Sequence, residues 1–211
     1  MKIVSVAIGE KYEIEVERLK RSLNGIPIEI FTRKNSKYKV ISEDNLVNGL
    51  YHKSNFANYI DSTMDSIVFI DADAFTLNNN PFESFVVNNE TDFAYVPYKN
   101  IWFLPDEIRQ NAFDFHGHKI NSGFMYFKNL EIAKIICSKW SEEFLKRPME
   151  LIRNEYDEWA LMIALEKLQK QKKINVELLP SKWNDWELTT LEEHVNSKSI
   201  FMQSHHFLDI V

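Results

Sequence analysis

The chain has 211 residues, of which 45% are hydrophobic and 13% aromatic, and this is enough apolar surface for a substantial buried core. The formal net charge is -6 and no block of lysine or arginine occurs, so we do not expect nucleic acid as the main partner. A negatively charged ligand would need a local positive device, such as a bound metal ion. No apolar stretch reaches the ~18 residues that a membrane-spanning helix requires, so we expect no membrane-spanning helix.

The single cysteine, Cys137, rules out an internal disulfide framework. It lies in an apolar helical pattern, so we expect a buried structural thiol. Residues 1–8 are too short and too quickly followed by charge to be a signal peptide, and we therefore expect a cytoplasmic protein. The chain ends on an apolar run, 207–211, which is compatible with its being part of a longer multidomain protein.

The first third of the chain predicts a parallel β-α-β unit. Apolar runs at Lys2–Ile8 and Ile26–Phe31 are typical of strands, and the apolar spacing between them indicates a helix over Tyr12–Leu23. A β-α-β unit of this kind is right-handed. A second helical stretch, Lys53–Asp65, leads into a strand of four consecutive apolar residues that stops at Asp71.

The rest of the chain alternates strands with two amphipathic helices. Strands are predicted over Asp92–Tyr98, Ile120–Phe127, Val176–Leu179 and Ser199–Met202. Helices are predicted over Leu130–Leu145 and Glu155–Gln169, with Asn129 and Asn154 as their N-caps. We therefore expect an α/β fold: a single Rossmann-like domain over residues 1–211, with a mixed, mainly parallel central sheet flanked by helices.

Two carboxylates, Asp71 and Asp73, follow directly after the buried strand. Ligands of open α/β sheets bind just beyond the carboxyl ends of such strands. The two side chains would repel each other there unless a cation lay between them. A hard divalent ion with oxygen ligands fits this role, and it could bridge to the phosphates of a nucleotide.

Three later motifs accompany the acidic pair: Asn121-Ser122-Gly123 in a strand, Asp157-Glu158 at the start of a helix, and His205-His206-Phe207 after a short apolar strand. Together the motifs resemble the GT-A class of metal-dependent, nucleotide-sugar-using glycosyltransferases, and the resemblance covers nearly the whole chain. Asp71-Ala72-Asp73 is similar to the class's Asp-x-Asp motif, and Asn-Ser-Gly to that of the retaining, glycogenin-like group. The pair Asp157-Glu158 resembles an Asp-Gln pair, with Glu where Gln is commoner.

The resemblance implies a metal site made of Asp71, Asp73 and a late histidine, holding Mn²⁺ or Mg²⁺. The register favours His206, and the adjacent His205 competes with it. Because successive strand residues face opposite sides, we expect only one of the two to point at the metal. The glycine and Lys-Pro-Trp that follow in the family are missing here, so no residue is assigned as its diphosphate-binding lysine.

The resemblance also implies a nucleotide-binding N-terminal half and an acceptor-side C-terminal half. The implied nucleotide-sugar-binding residues follow predicted strands or precede the acidic one: Ala7, Ile8, Gly9, Tyr12, Arg33, Lys53, Asp71, Ala72, Asp73, Asn121, Ser122 and Gly123. Asp157, Glu158 and Asn121 are implied as the residues that act on the donor sugar during catalysis.

The segment 100–118 is rich in aromatic and charged residues, which suits stacking on sugar faces, and we take it as the acceptor-side loop. Its candidate contacts are Trp102, Phe103, His116 and His118. Trp183, Asn184 and Trp186 either line the same cleft or pack in the core. An inverting enzyme would need a general base, for which Asp114 and Glu107 are candidates.

We therefore expect a metal-dependent glycosyltransferase that moves a sugar from a UDP-sugar to a hydroxyl of a glycan or glycoprotein acceptor, with retention of configuration. The chain is similar to glycosyltransferase domains of large algal viruses, which would act in the host cytoplasm. One alternative is a non-catalytic module that binds nucleotide-sugar or carbohydrate. Another is a haloacid-dehalogenase-type phosphatase, although its signature normally lies on the first strand. Sugar-nucleotide pyrophosphorylases need a glycine-rich loop, which Ile8-Gly9-Glu10 is not.

Overall fold

The computed structural model describes residues 1–35, 39–62, 65–98, 114–115, 118–146, 157–185 and 199–203. The strands are β1 (Lys2–Val6), β2 (Ile28–Phe31), β3 (Ile67–Ile70), β4 (Ala74–Thr76), β5 (Phe93–Pro97), β6 (Asp114–Phe115), β7 (His118–Phe127), β8 (Val176–Leu178) and β9 (Phe201–Gln203). The helices are α1 (Glu10–Ser22), α2 (Asn45–Ser54), α3 (Leu130–Leu145) and α4 (Glu158–Lys170), with 3₁₀ turns at Phe56–Asn58 and Ser181–Trp183. Among these helices, none has the length and apolar character that a bilayer crossing requires.

The central sheet has the strand order β2-β1-β3-β7-β5-β8, with β6 paired to β7. β1 lies parallel to β2 and β3, and β8 lies parallel to β5. β7 runs antiparallel to both of its neighbours, β3 and β5. A separate antiparallel ribbon joins β4 to β9. The predicted mixed, mainly parallel sheet flanked by helices is confirmed, as is the parallel β-α-β opening.

The sheet separates two hydrophobic clusters, and each central strand contributes to both. In β3, Ile67 and Phe69 belong to the cluster that contains residues of α2, α3 and α4, whereas Val68 and Ile70 belong to the cluster that contains residues of α1 and β9. Successive strand residues point to opposite faces, so a strand covered on both sides must be apolar throughout. This is why the sequence shows an unbroken apolar run before Asp71.

The predicted elements agree with the structure most closely in the second half of the chain. Helix α3 spans Leu130–Leu145, as predicted, and the side chain of Asn129 caps it by accepting a hydrogen bond from the backbone N–H of Ile132. Helix α4 is observed from Glu158, and Asn154 lies outside the described residues.

The helix predicted over Lys53–Asp65 is wrong in its position. The structure has α2 over Asn45–Ser54, capped by Asp44, whose side chain accepts from the N–H of Leu46, and a 3₁₀ turn follows. The Asp44 cap is a signal that the sequence carries but that the prediction did not use. The earlier start matters for function, since it places Lys53 near the C-terminal end of α2.

Candidate active site

The candidate site lies at the edge of the sheet where the parallel strands have their carboxyl ends. Gly9 follows β1, Arg33 follows β2 and Asp71 follows β3. Because β7 is antiparallel to β3, its residue Gly123 lies at this same edge, and its carbonyl accepts a hydrogen bond of 2.9 Å from the N–H of Asp71. The topology therefore brings the segments of these four predicted site residues together at the place where α/β sheets bind ligands.

An irregularity in β7 shapes the middle of the site. Tyr95 of β5 pairs with Met125, but the next residue, Val96, pairs with Asn121. The register shift leaves Ser122, Gly123 and Phe124 without register partners in β5, so the irregularity is larger than a one-residue β-bulge. The irregularity lets Ser122 face the acidic cluster.

Lys53 and Ser122 form the centre of a buried polar network. The Lys53 Nζ lies 2.7 Å from Asp71 Oδ1 and 3.4 Å from Asp157 Oδ2, and it donates to Ser122 Oγ at 2.8 Å. The Ser122 hydroxyl lies within donating distance of two carboxylates, 3.1 Å from Asp157 Oδ2 and 3.0 Å from Glu158 Oε1. The ammonium group thus joins α2, β3, β7 and the start of α4.

The electrostatics of this cluster are dominated by burial and by excess negative charge. Burial and the neighbouring carboxylates of Asp73 and Asp157 raise the pKa of Asp71 to about 7, although Lys53 opposes the change. Burial and the charge of Asp157 likewise raise the pKa of Glu158 to about 7. Burial alone would lower the pKa of Lys53, but Asp157 and Asp71 raise it, so Lys53 is a permanent cation.

A second pair of buried side chains, Asn121 and Asn184, adjoins the network. The Asn121 Oδ1 accepts from the N–H of Gly123 at 2.8 Å and from Asn184 Nδ2 at 2.7 Å. Asn121 Nδ2 and Asn184 Oδ1 have no hydrogen-bond partner in the described part of the chain. A buried polar atom without a partner is costly, so a ligand group or a water molecule is expected to accept from Asn121 Nδ2 and to donate to Asn184 Oδ1.

At the other end of α2, Asn45 and Arg33 flank Gly9. The Arg33 Nη2 donates to Asn45 Oδ1 at 2.7 Å. A Cβ added at Gly9 would lie 3.7 Å from Asn45 Cβ and 3.8 Å from Arg33 Nη2, and the φ of Gly9 is +107°, which L side chains rarely adopt. The backbone is open at this corner because the residue is glycine.

The remaining nucleotide-side candidates are placed as follows. Ala7, Ile8 and Ala72 are buried in the core, so only their backbone could contact a ligand. Tyr12 is half-buried on α1, with Lys11 Nζ 5.6 Å from its ring centroid. Asp73 is half-buried directly before β4.

The residues predicted as metal ligands are only partly described. Across the described residues, no group of three or more His, Cys, Asp or Glu side chains is arranged to hold a metal ion. His205 and His206 lie outside them. However, β9 pairs with β4 so that Gln203 lies opposite Ala74, the residue after Asp73. Gln203, the last described residue, therefore lies beside the acidic segment.

The acceptor-side candidates are mostly beyond the described residues. Trp102, Phe103, Glu107, His116 and Trp186 lie outside them, and Asp114 and His118 belong to the strands β6 and β7. Trp183 is 2% exposed and its ring centroid lies 4.8 Å from that of Phe85, so it packs in the core rather than lining the cleft. Of the two alternatives for this residue, packing is the one observed.

Two residues of the site were missed by the sequence interpretation. Tyr98, which follows β5, donates to Glu158 Oε1 at 3.3 Å. Asn45, the first residue of α2, holds Arg33. The rule that ligands bind beyond the carboxyl ends of strands applies to Tyr98 as well as to Asp71, so it could have been found; Asn45 carries no such signal.

Comparison with solved structures supports the fold. A glycosyltransferase involved in the glycosylation of the major capsid of PBCV-1 is 15% identical, with a TM-score of 0.58 over 97% of this chain and 94% of its own. The galactosyltransferase LgtC is 10% identical, with a TM-score of 0.55 over 96% of this chain and 86% of its own. Mouse xyloside xylosyltransferase 1 is 9% identical, with a TM-score of 0.52 over 97% of both chains. The expected GT-A-like fold is confirmed.

A search of curated proteins with the sequence finds no match. A family model does match: that of the nucleotide-diphospho-sugar transferases, over residues 27–206. The matched range contains Lys53, the acidic pair, the Asn-Ser-Gly strand and the start of α4. The chain therefore belongs to the nucleotide-diphospho-sugar transferase family.

Proposed function

We propose that this protein is a metal-dependent glycosyltransferase that transfers a sugar from a UDP-sugar to a hydroxyl of a glycan or glycoprotein, with retention of configuration. The observation that carries the proposal is the charge imbalance at the sheet edge. Asp71, Asp157 and Glu158 surround Lys53 directly or through Ser122, and the charge of Asp73 acts on Asp71 as well. A site of this kind favours a further cation.

The donor set fits a hard divalent ion. Carboxylate oxygens are the ligands that Mg²⁺ and Mn²⁺ prefer, and an imidazole suits Mn²⁺ as well. Asp71 and Asp73 would hold the ion, joined by His206 or His205. When bound, the ion would neutralise the negative charge that develops on the departing nucleoside diphosphate.

The chain's own residues supply the rest of the donor site. Asn121 Nδ2 and Asn184 Oδ1, which have no partner among the described residues, would bind one sugar hydroxyl, which can accept from the first and donate to the second. Gly9 leaves room for the base or ribose beside Arg33. Lys53 stays protonated and orients the carboxylate of Asp71.

Two finer parts of the proposal rest on the resemblance of the motifs, and a third rests on the cysteine content. The Asn-Ser-Gly motif supports retention, because it is similar to that of the glycogenin-like group. The same resemblance supports a hydroxyl of a glycan or glycoprotein as the acceptor. A cytoplasmic site of action is supported by the lack of a disulfide, since the only cysteine is Cys137.

The test is a thermal-shift panel of UDP-, GDP-, CMP- and dTDP-sugars, each with Mn²⁺ and with EDTA. A ligand that binds only the native state raises the melting temperature. We expect a shift with the UDP-sugars that disappears in EDTA, followed by release of UDP on incubation. Binding without UDP release in the presence of candidate acceptors would instead support a non-catalytic binding module. No shift with any nucleotide would refute the donor assignment.

A further inference from the structure

The two neighbouring carboxylates at the start of α4 have different surroundings. Asp157 is 2% exposed, its Oδ2 faces both Lys53 and Ser122, and its backbone carbonyl accepts from the indole of Trp140 at 2.9 Å. These contacts fix it as a counter-ion of Lys53. Glu158 is only half-buried, so part of the residue is reachable from solvent.

The two oxygens of Glu158 also differ. Oε1 faces two hydroxyl donors, Tyr98 OH at 3.3 Å and Ser122 Oγ at 3.0 Å. Oε2 takes no hydrogen bond within the ranges that the structure describes, and it is not one of the fully buried polar atoms. The carboxylate is therefore held by one oxygen while the other remains open.

Tyr98 is needed for this arrangement because Ser122 has only one proton to donate. The Ser122 hydroxyl lies at nearly equal distances from Asp157 Oδ2 and Glu158 Oε1, so the two carboxylates compete for it. Tyr98 supplies a second donor that is directed at Glu158 alone of these two carboxylates. Burial and the nearby charge of Glu158 raise the pKa of Tyr98, so the phenol keeps its proton at neutral pH.

We propose that Tyr98 is a positioning residue: its hydroxyl holds Glu158 Oε1 so that Oε2 faces the donor sugar in the transition state, while Asp157 serves as the fixed counter-ion of Lys53. The proposal rests on the proposed transferase function. It assigns a role to a residue outside the motifs and separates the roles of the two adjacent carboxylates.

The test compares Tyr98→Phe with a matched control, Tyr95→Phe. Tyr95 lies on the same strand, β5, but is fully buried in the core, with its ring 6.0 Å from that of Phe93. For Tyr98→Phe we expect kcat of UDP release to fall about tenfold while KM for the UDP-sugar stays within about twofold. The variant loses the hydrogen bond to the Glu158 carboxylate, and this bond is proposed to act on the transition state and not on binding of the substrate. Tyr95→Phe should leave kcat unchanged.

A stability cycle tests the contact itself, without reference to activity. Urea unfolding of Tyr98→Phe, Glu158→Ala and the double variant should show coupling of at least about threefold in the unfolding equilibrium constant. If the wild type releases UDP but Tyr98→Phe behaves like Tyr95→Phe, or if the coupling is absent, the inference is overturned and the proposed function stands. If the wild type releases UDP from no UDP-sugar, the proposed function fails, and the role of Tyr98 fails with it.

Discussion

The ammonium group of Lys53 lies 2.7 Å from Asp71 Oδ1, and this ion pair joins the C-terminal end of α2 to the carboxyl end of β3. The same Nζ contacts Ser122 on β7 and Asp157 at the start of α4. One buried cation therefore organises segments that are far apart in the sequence. The site's geometry depends on it as much as on the acidic motif.

Replacing Lys53 by Met should destabilise the protein. Asp71 and Asp157 would remain buried without their cation, which typically costs about 3 kcal/mol of unfolding free energy. The folded-state pKa of Asp71, already raised to about 7, would rise further without Lys53, so the loss relative to wild type should be larger at pH 8 than at pH 5.5. Urea unfolding at both pH values measures this.

The control for that variant is Lys20→Met, because Lys20 pairs with Glu17 at 3.9 Å and both side chains are 57% exposed. It should leave the unfolding curve unchanged, since exposed ion pairs contribute little. A Lys53→Met protein as stable as wild type at pH 8 would contradict the view of Lys53 as the centre of the buried network.

Asp73→Ala should abolish Mn²⁺-dependent binding of UDP while leaving the fold intact. Asp73 is half-buried and lies before a short ribbon rather than inside the core, so its removal leaves no large cavity. Titration calorimetry of UDP with and without Mn²⁺ measures the effect, with the exposed Asp61→Ala as control. Unchanged Mn²⁺-dependent affinity would remove Asp73 from the metal site.

His206→Ala should weaken the affinity for Mn²⁺ more than His205→Ala does. The expectation follows from the resemblance of the late histidine motif, whose register favours His206, and Gln203 just before it lies opposite Ala74, the residue after Asp73. About tenfold separation in Kd for Mn²⁺ is expected, as for loss of one metal ligand. The reverse order would show that the register is shifted by one residue.

Asp157→Asn should lower turnover much more than UDP affinity. The buried carboxylate contacts Lys53 and Ser122, and in the proposed function this cluster acts on the donor sugar rather than on the base. We expect kcat to fall about a hundredfold with Kd for UDP and Mn²⁺ within about threefold. Equal losses in the two quantities would place Asp157 in the nucleotide site instead.

The thiol of Cys137 should make stability decline at alkaline pH. Burial raises its pKa to about 12 from an ordinary value of 9.0, so the folded protein keeps the proton that the unfolded chain releases. Stability is therefore lost between these two values as pH rises, by up to about 1.4 kcal/mol per pH unit. The free energy of unfolding of Cys137→Ala should fall less steeply from pH 9 to 11 than that of wild type. Parallel slopes would contradict the assignment.

The elements most accurately predicted were those whose signals are local. The unbroken apolar run before Asp71 predicted a strand covered on both faces, and Asn129 predicted the start of α3 to the residue. The start of α2 was missed although Asp44 caps it, because the irregular segment before it has no hydrophobic period. Helix periodicity cannot locate a boundary where the flanking residues are polar on all sides.

The candidate site shows the same contrast between residues with a local sequence signal and residues without one. The acidic pair was singled out from its residue types, and the Asn-Ser-Gly strand and the Asp157-Glu158 pair from their resemblance to known motifs; the structure brings the three segments into contact. Tyr98 and Asn45 were not singled out, since a lone Tyr or Asn is common on any surface. Their contacts with Glu158 and Arg33 arise only when β5 and α2 are brought to the sheet edge.

The sequence by itself determined which side chains could form a site that binds a cation or a sugar, and which predicted strand each of them follows. Only the tertiary structure decided how they share their partners: that Lys53 pairs with Asp71 and Asp157, that Ser122 lies between two carboxylates, and that one oxygen of Glu158 remains open. The reason is physical. Residue types follow from local chemistry, whereas distances of about 3 Å between segments far apart in the chain follow from strand order, register and a bulge, which local patterns do not encode.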